Sequence, residues 1–162
     1  ENALRYLKEK GAEVEELAHG LYPRLLSEGG LAAALAALPA AVPTTIQVEP
    51  GRLPPAAETA IYFACVEAVA NVAKHADASQ AEIRVTRSAD GVTATVTDDG
   101  VGGADVSQGS GLAGIRDRVE AIAGELTVAQ PASGGTTVTV RLQLKDFRAS
   151  RGSGKPDLSQ TL

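Results

Sequence analysis

The sequence predicts an α+β fold: a two-layer sandwich in which a mixed, mainly antiparallel sheet carries helices on one face. Three observations lead there. Apolar residues recur at helical spacing over 55–76 and 112–122. Apolar and polar residues alternate through Ala81–Arg87 and through Val92–Thr97. The order is helix, strand, long helix, hairpin, loop, helix, hairpin.

Residues 1–28 read as a helix, with Leu4, Leu7, Val14, Leu17 and Leu21 at roughly helical spacing; Gly11 and Gly20 weaken it and Pro23 interrupts it. Gly29-Gly30 ends the segment, and Leu31 to Leu38 forms a second short helix stopped by Pro39. Thr45 to Glu49 alternates like an edge strand closed by Pro50-Gly51. Pro54-Pro55 opens the central helix over 55–76, since proline is tolerated in a first turn. Ile61, Cys65, Ala68 and Val72 form its apolar stripe, broadened by Val66, Val69 and Ala73. Glu67, Asn71 and Lys74 fall on a separate face at i, i+4 and i+7.

Ala81–Arg87 and Val92–Thr97 are strands joined across Asp90-Gly91, a hairpin signal. Residues 98–110 carry no apolar periodicity and read as loop. Leu112–Ile122 is a helix with Ile115, Val119 and Ile122 inward. Glu125–Ala129 and Thr136–Leu144 are the last strands, joined through Pro131–Gly135, and the chain from Phe147 reads as a flexible tail. The expected organisation is thus an upstream helix (1–28), one domain (29–146) and a tail (147–162).

Composition narrows the function. With 162 residues and a net charge of −5, the chain lacks the basic balance of a nucleic-acid binder. Cys65 is the sole cysteine, so no intrachain disulfide forms; the thiol reads as a packed core residue in a reducing, cytoplasmic setting. No run of 18 apolar residues and no signal peptide stand out. Methionine is absent even at position 1, so the chain is expected to be a piece of a longer protein.

The candidate chemistry lies in four places. On the helical row, the Asn71 amide oxygen suits Mg2+, a hard cation that prefers oxygen ligands. Lys74 can meet a phosphate, and Glu67 can accept a proton or orient a water. The row also suits a solvated helix face. Asp98 ends a strand, where its carboxylate can accept from an adenine amino group, while Gly100 and Gly102 let the backbone approach a flat ligand; an Asp-Asp-Gly turn is the plain alternative. Gly109-Ser110-Gly111-Leu112-Ala113-Gly114 matches G-x-G-x-x-G, but it follows a polar loop rather than a buried strand, which argues against a dinucleotide fingerprint. Glycine amides and the start of the following helix still suit phosphates. Arg116 and Arg118 either add charge there or are solvated. Thr136, after Gly134-Gly135, can hydrogen-bond a base or a water, or is simply a β-branched strand residue. His19, late in its helix beside Gly20 and Pro23, is a poor phosphoacceptor.

Taken in order, these segments resemble the ATP-binding catalytic domain of sensor histidine kinases. That superfamily, the GHKL or Bergerat-fold ATPases, also contains type II topoisomerases, the Hsp90 chaperone and the MutL repair protein. Glu67…Asn71…Lys74-His75-Ala76 is similar to its N box, Asp98-Asp99-Gly100-Val101-Gly102 to its D-x-G-x-G box, Gly109–Val119 to its next glycine box and Gly135-Thr136 to its closing G-T. The phrasing Asn-x-x-Lys-His-Ala and the G-x-G-L-x-G-I-R-x-R-V run resemble the nitrate-sensor-like subfamily, which signals to helix-turn-helix response regulators of the LuxR type. Leu17–Pro23 and Gly30–Leu35 resemble the end of that subfamily's dimerisation helix and its junction to the catalytic domain.

The resemblance, over about residues 12–145, implies the following roles. Asp98 binds the adenine amino group, with Gly100, Gly102, Gly109, Gly111, Leu112, Gly114 and Thr136 around the nucleotide. Asn71 holds Mg2+ on the triphosphate, Lys74 and His75 lie near the phosphates, and Glu67 is the base at the reacting histidine. A lid over 103–111 closes on ATP. The implied partners are ATP, the parent's own dimerisation and phosphoacceptor helices, and a response regulator, in a homodimeric parent that is cytoplasmic or membrane-anchored. The family's phosphoacceptor motif is absent before residue 12, so this piece alone is not expected to autophosphorylate. Two further readings are a serine kinase of the anti-sigma-factor type, against which the helix Leu4–Leu21 argues, and a non-catalytic ATP-sensing module, against which intact Glu67, Asn71 and Asp98 argue.

Overall fold

A computed structural model describes residues 24–102 and 110–144. The expected helix over 1–23, the lid residues 103–109 with Gly109, and the tail with Phe147 lie outside the described residues.

The architecture is the expected two-layer α+β sandwich. The elements are α1 (24–36), then β1 (Thr44–Val48), α2 (Pro55–Asn71), β2 (Ala81–Arg87), β3 (Gly91–Asp98), α3 (Ser110–Glu120), β4 (Glu125–Ala129) and β5 (Thr137–Gln143). The five strands lie in the order β1-β2-β3-β5-β4. β1 runs parallel to β2, with Thr44 opposite Ala81, because α2 carries the chain back across the sheet between them. Every other pairing is antiparallel.

Alternation decides which face is covered. Along β2, Ala81, Ile83 and Val85 are buried; along β3, Val92, Ala94 and Val96 are, with Val138, Val140 and Leu142 of β5 beside them. Thr93, Thr95 and Thr97 point the other way and remain half-exposed. α2 packs Ile61, Ala64, Cys65, Ala68 and Val69 into this layer, joined by Leu112, Ile115 and Val119 of α3. Each fully buried Ile, Val or Leu side chain contributes about 1.5–3 kcal/mol. Pro55–Ala76 is long and apolar enough to cross a membrane by length and composition, yet its buried side chains belong to the core described here.

Two local features depart from a plain reading of the sequence. The central helix does not remain α-helical to residue 76: Val72–Ala76 forms a π turn, and Asp77 leaves it in the left-handed region at φ 48°. Within α1, Gly30 has φ 73°, so the helical run bends there rather than beginning anew at Leu31. α3 ends in another left-handed residue, Ala123 at φ 56°. There the Ala123 and Gly124 amides donate to the Glu120 and Val119 carbonyls at 3.0 and 2.9 Å, closing the helix end as an αL cap does.

Candidate functional site

Two of the three buried polar side chains among the described residues, Asp98 and Thr136, are neighbours. The Asp98 backbone N–H donates to the Thr136 carbonyl at 3.0 Å. Gly135 makes this approach possible: it has φ 79°, and a Cβ there would run into the Asp98 carbonyl. The Asp98 carboxylate accepts the Gly100 N–H through Oδ1 at 2.9 Å, which turns the chain sharply out of β3. Its Oδ2 and the Thr136 hydroxyl have no hydrogen-bond partner among the described residues. Buried polar atoms are nearly always paired, and leaving one unpaired is costly. A carboxylate oxygen and a hydroxyl side by side are therefore what a ligand with an N–H donor would complete.

The rim is drawn in by backbone contacts. Val101 N–H donates to the Ala76 carbonyl at 2.8 Å, tying the loop after β3 to the π turn. A Cβ at Gly100 would strike that same carbonyl. Gly102, at φ 74°, lies against the Gln130 amide, and Gly134, at φ 91°, faces the Gly100 carbonyl. Close approach between the π turn, the loop over 98–102 and the turn before β5 thus requires glycine at 100, 102 and 135, while Gly134 is held by its positive φ.

Asp99, beside Asp98, faces outward. It accepts the Ser79 and Gln80 amides at 2.8 and 3.0 Å and the Ser79 hydroxyl at 2.5 Å. These bonds, the Ser79 hydroxyl first, hold its carboxyl below the usual aspartate range. Asp99 therefore pins the α2–β2 connection to the mouth of the site.

On α2, Glu67 and Asn71 are half-buried, one turn apart on the same face, and neither side chain is hydrogen-bonded among the described residues. Glu67 lies against Gly111 in the first turn of α3: a Cβ at Gly111 would collide with its carboxylate. Glu67 and Gly111 therefore meet where α2 crosses α3. The Asn71 amide oxygen fits a cation whose remaining ligands come from phosphate and water. Among the described residues no three His, Cys, Asp or Glu side chains cluster to hold a metal by themselves.

Other candidate residues are placed differently. Lys74 and His75 are exposed on the π turn, so their phase relative to Glu67 and Asn71 is not that of a continuous α-helix. The Leu112 side chain belongs to the apolar core, leaving its backbone alone to face a ligand. Gly114 is exposed, with open space where a Cβ would stand. Arg118 stacks over the Phe63 ring at 5.1 Å, an intramolecular cation–π contact. Gly109 and His19 are outside the described residues. The π turn and the Asp99 bracket had no signal in the sequence beyond the polar run after Ala76.

Residues 56–146 match the family model for histidine kinase-, DNA gyrase B-, and HSP90-like ATPases. The chain is 33% identical over 91 residues to the sensor histidine kinase YxjM of Bacillus subtilis, covering 56% of this chain and 22% of that protein. It is 36% identical over 90 residues to the nitrate/nitrite sensor protein NarQ of Escherichia coli, covering 53% of this chain and 15% of that one. The chain thus spans less than a quarter of the length of these relatives. Its fold matches the histidine kinase domain of the blue-light activated histidine kinase of Erythrobacter litoralis, with a TM-score of 0.63 at 20% identity over 75% of this chain and 62% of that one.

Proposed function

Because the chain belongs to the histidine kinase-, DNA gyrase B- and HSP90-like ATPase family, we propose that it is the ATP-binding catalytic domain of a two-component sensor histidine kinase, one that donates the γ-phosphoryl group to a histidine elsewhere in its parent protein. The observation that carries the adenine end is Asp98, buried with one carboxylate oxygen on Gly100 and the other without a partner among the described residues. An adenine amino group supplies the missing donor, and the Thr136 hydroxyl stands beside it to take a second bond.

The phosphate end follows from α2 and the start of α3. Asn71 would hold Mg2+, which, when bound, neutralises the triphosphate charge. Lys74 and His75 on the π turn and the Gly111 amide in the first turn of α3 would meet the phosphates. Gly109 would join them from the lid expected over 103–111, whose last two residues are already helical, and Gly114, fifth in α3, would serve by its lack of a side chain. Glu67 takes the proton of the attacking imidazole as the N–P bond forms and the bond to the β-phosphate oxygen breaks, releasing ADP. Such transfer depends on in-line positioning of nucleophile and phosphate.

The Lys74-His75-Ala76 phrasing and the similarity to NarQ support a nitrate-sensor-like subfamily. That reading adds a LuxR-type response regulator as partner and a homodimeric parent, anchored in the membrane or soluble, with this domain in the cytoplasm.

Calorimetric titration of the 162-residue chain with ATP, with and without Mg2+, tests the reading beside Asp98→Asn. Asparagine keeps an oxygen for the Gly100 amide and so leaves the fold intact. It offers an amide in place of the charged acceptor, which weakens ATP by about tenfold to a hundredfold. Unaltered affinity in a folded Asp98→Asn protein overturns the adenine assignment.

A further inference from the structure

Away from the site, one buried charge stands out. Glu58, in the first turn of α2, is 1% exposed. Arg52 grips it with two parallel bonds, Nε to Oε1 and Nη2 to Oε2, both 2.9 Å. The Leu53 N–H adds a third at 3.1 Å, satisfying an amide just ahead of the helix. The same guanidinium reaches back 25 residues: Nη1 donates to the Ser27 carbonyl at 3.0 Å and Nη2 to the Leu26 carbonyl at 3.1 Å.

Those two carbonyls precede Gly30, whose φ of 73° turns the chain out of its first helical course. Both lie in the turn of α1 that leads into the bend. A Cβ at Gly30 would stand 3.1 Å from the Arg52 side chain, so the bend and the guanidinium fit one another. Arg52 therefore joins the last carbonyls before the bend to the first turn of the helix that carries Glu67 and Asn71. Glu58 is buried but the Arg52 side chain is 53% exposed, so water screens the pair and it is weak evidence of stability. A planar fork spent on four acceptors across two elements fixes direction instead, and lysine lacks that fork.

We propose that Arg52 and Glu58 form a positioning clasp that sets the angle at which the first part of α1, residues 24–29, meets the nucleotide domain. Resting on the histidine kinase reading above, the clasp governs how a histidine carried upstream is presented to the γ-phosphate, without touching ATP.

Spin labels at Leu25→Cys and Ala129→Cys, both on exposed positions, measure the angle directly in the 162-residue chain. The buried Cys65 thiol, pushed up to about 12 by its apolar surroundings, stays unlabelled. The unaltered clasp gives a narrow distance distribution. Arg52→Lys, and the double replacement Arg52→Met with Glu58→Met, which leaves no unpaired charge, broaden it at least twofold while the ATP dissociation constant stays within threefold. An unchanged width in either folded variant overturns the clasp. In the histidine-bearing parent, kcat for histidine phosphorylation falls at least tenfold with KM for ATP unchanged; a rise in KM with kcat intact overturns the positioning role. If the unsubstituted parent does not phosphorylate a histidine, the functional reading fails, and the distance measurement still decides the clasp.

Discussion

The carboxylate of Glu67 occupies the space that a side chain at Gly111 would need. α2 and α3 can cross this closely at the site only because position 111 has no Cβ. Gly111→Ala should therefore push Glu67 aside without disturbing Asp98. In the parent protein, histidine phosphorylation is expected to fall by about a hundredfold, the low end of what a general base contributes. Glu67→Gln should reproduce the rate loss; a fully active Gly111→Ala protein would remove Glu67 from the mechanism.

Gly135 is constrained twice, by φ 79° and by the Asp98 carbonyl where its Cβ would go. Gly135→Ala should destabilise the domain by about 2–3 kcal/mol through left-handed strain and displaced backbone. Urea unfolding followed by circular dichroism measures it. The same variant should lose ATP affinity, since the Asp98–Thr136 contact moves with it.

Ala123 is the opposite case, an alanine in the left-handed region at φ 56° that closes α3. Ala123→Gly relieves the Cβ penalty at the price of some unfolded-state entropy. The expected net gain is about 0.5–1 kcal/mol, read as a higher urea midpoint with an unchanged slope.

Asp99 has its carboxyl lowered by the Ser79 hydroxyl and by the Gln80 and Ser79 amides. A depressed folded-state value means that the stabilisation is fully present above the usual 3.8. It is lost as pH falls below that value, through the folded-state one. Asp99→Asn should flatten the stability profile across this acid range and leave it nearly parallel to the unsubstituted protein above about pH 5. Denaturant midpoints at stepped pH test it, and parallel profiles throughout would show that the bracket is not titrating.

Much of this was legible in the sequence for a physical reason. The strands β2, β3 and β5 alternate because one face is apolar and the other threonine-rich, so their burial could be assigned residue by residue. Asp98, Gly100, Gly135 and Thr136 stood out because a strand end beside a glycine turn presents an acid or a hydroxyl at an open edge, but a plain turn uses the same residues, and only the structure shows Asp98 and Thr136 buried as neighbours. The β1–β2 pairing was not, since parallel register depends on how α2 packs. The π turn was hidden because Val72–Ala76 contains no glycine or proline to announce a change of pitch. The Arg52–Glu58 clasp was invisible because its other acceptors are backbone carbonyls some 25 residues away.

The π turn at Val72–Ala76 has a consequence for how this chain tolerates length changes. A wider turn holds one residue more than the α-helix that leads into it, so the polypeptide is dephased there by a single step. Removing one residue between Asn71 and Asp77 would restore an ordinary helix at little local cost. It would also rotate the Ala76 carbonyl away from the Val101 amide that it receives at 2.8 Å and unfasten the loop behind Asp98. Single-residue deletions should thus be well tolerated by the helix and poorly tolerated by the pocket, because the extra residue of the turn sets the spacing between α2 and the loop that carries Val101.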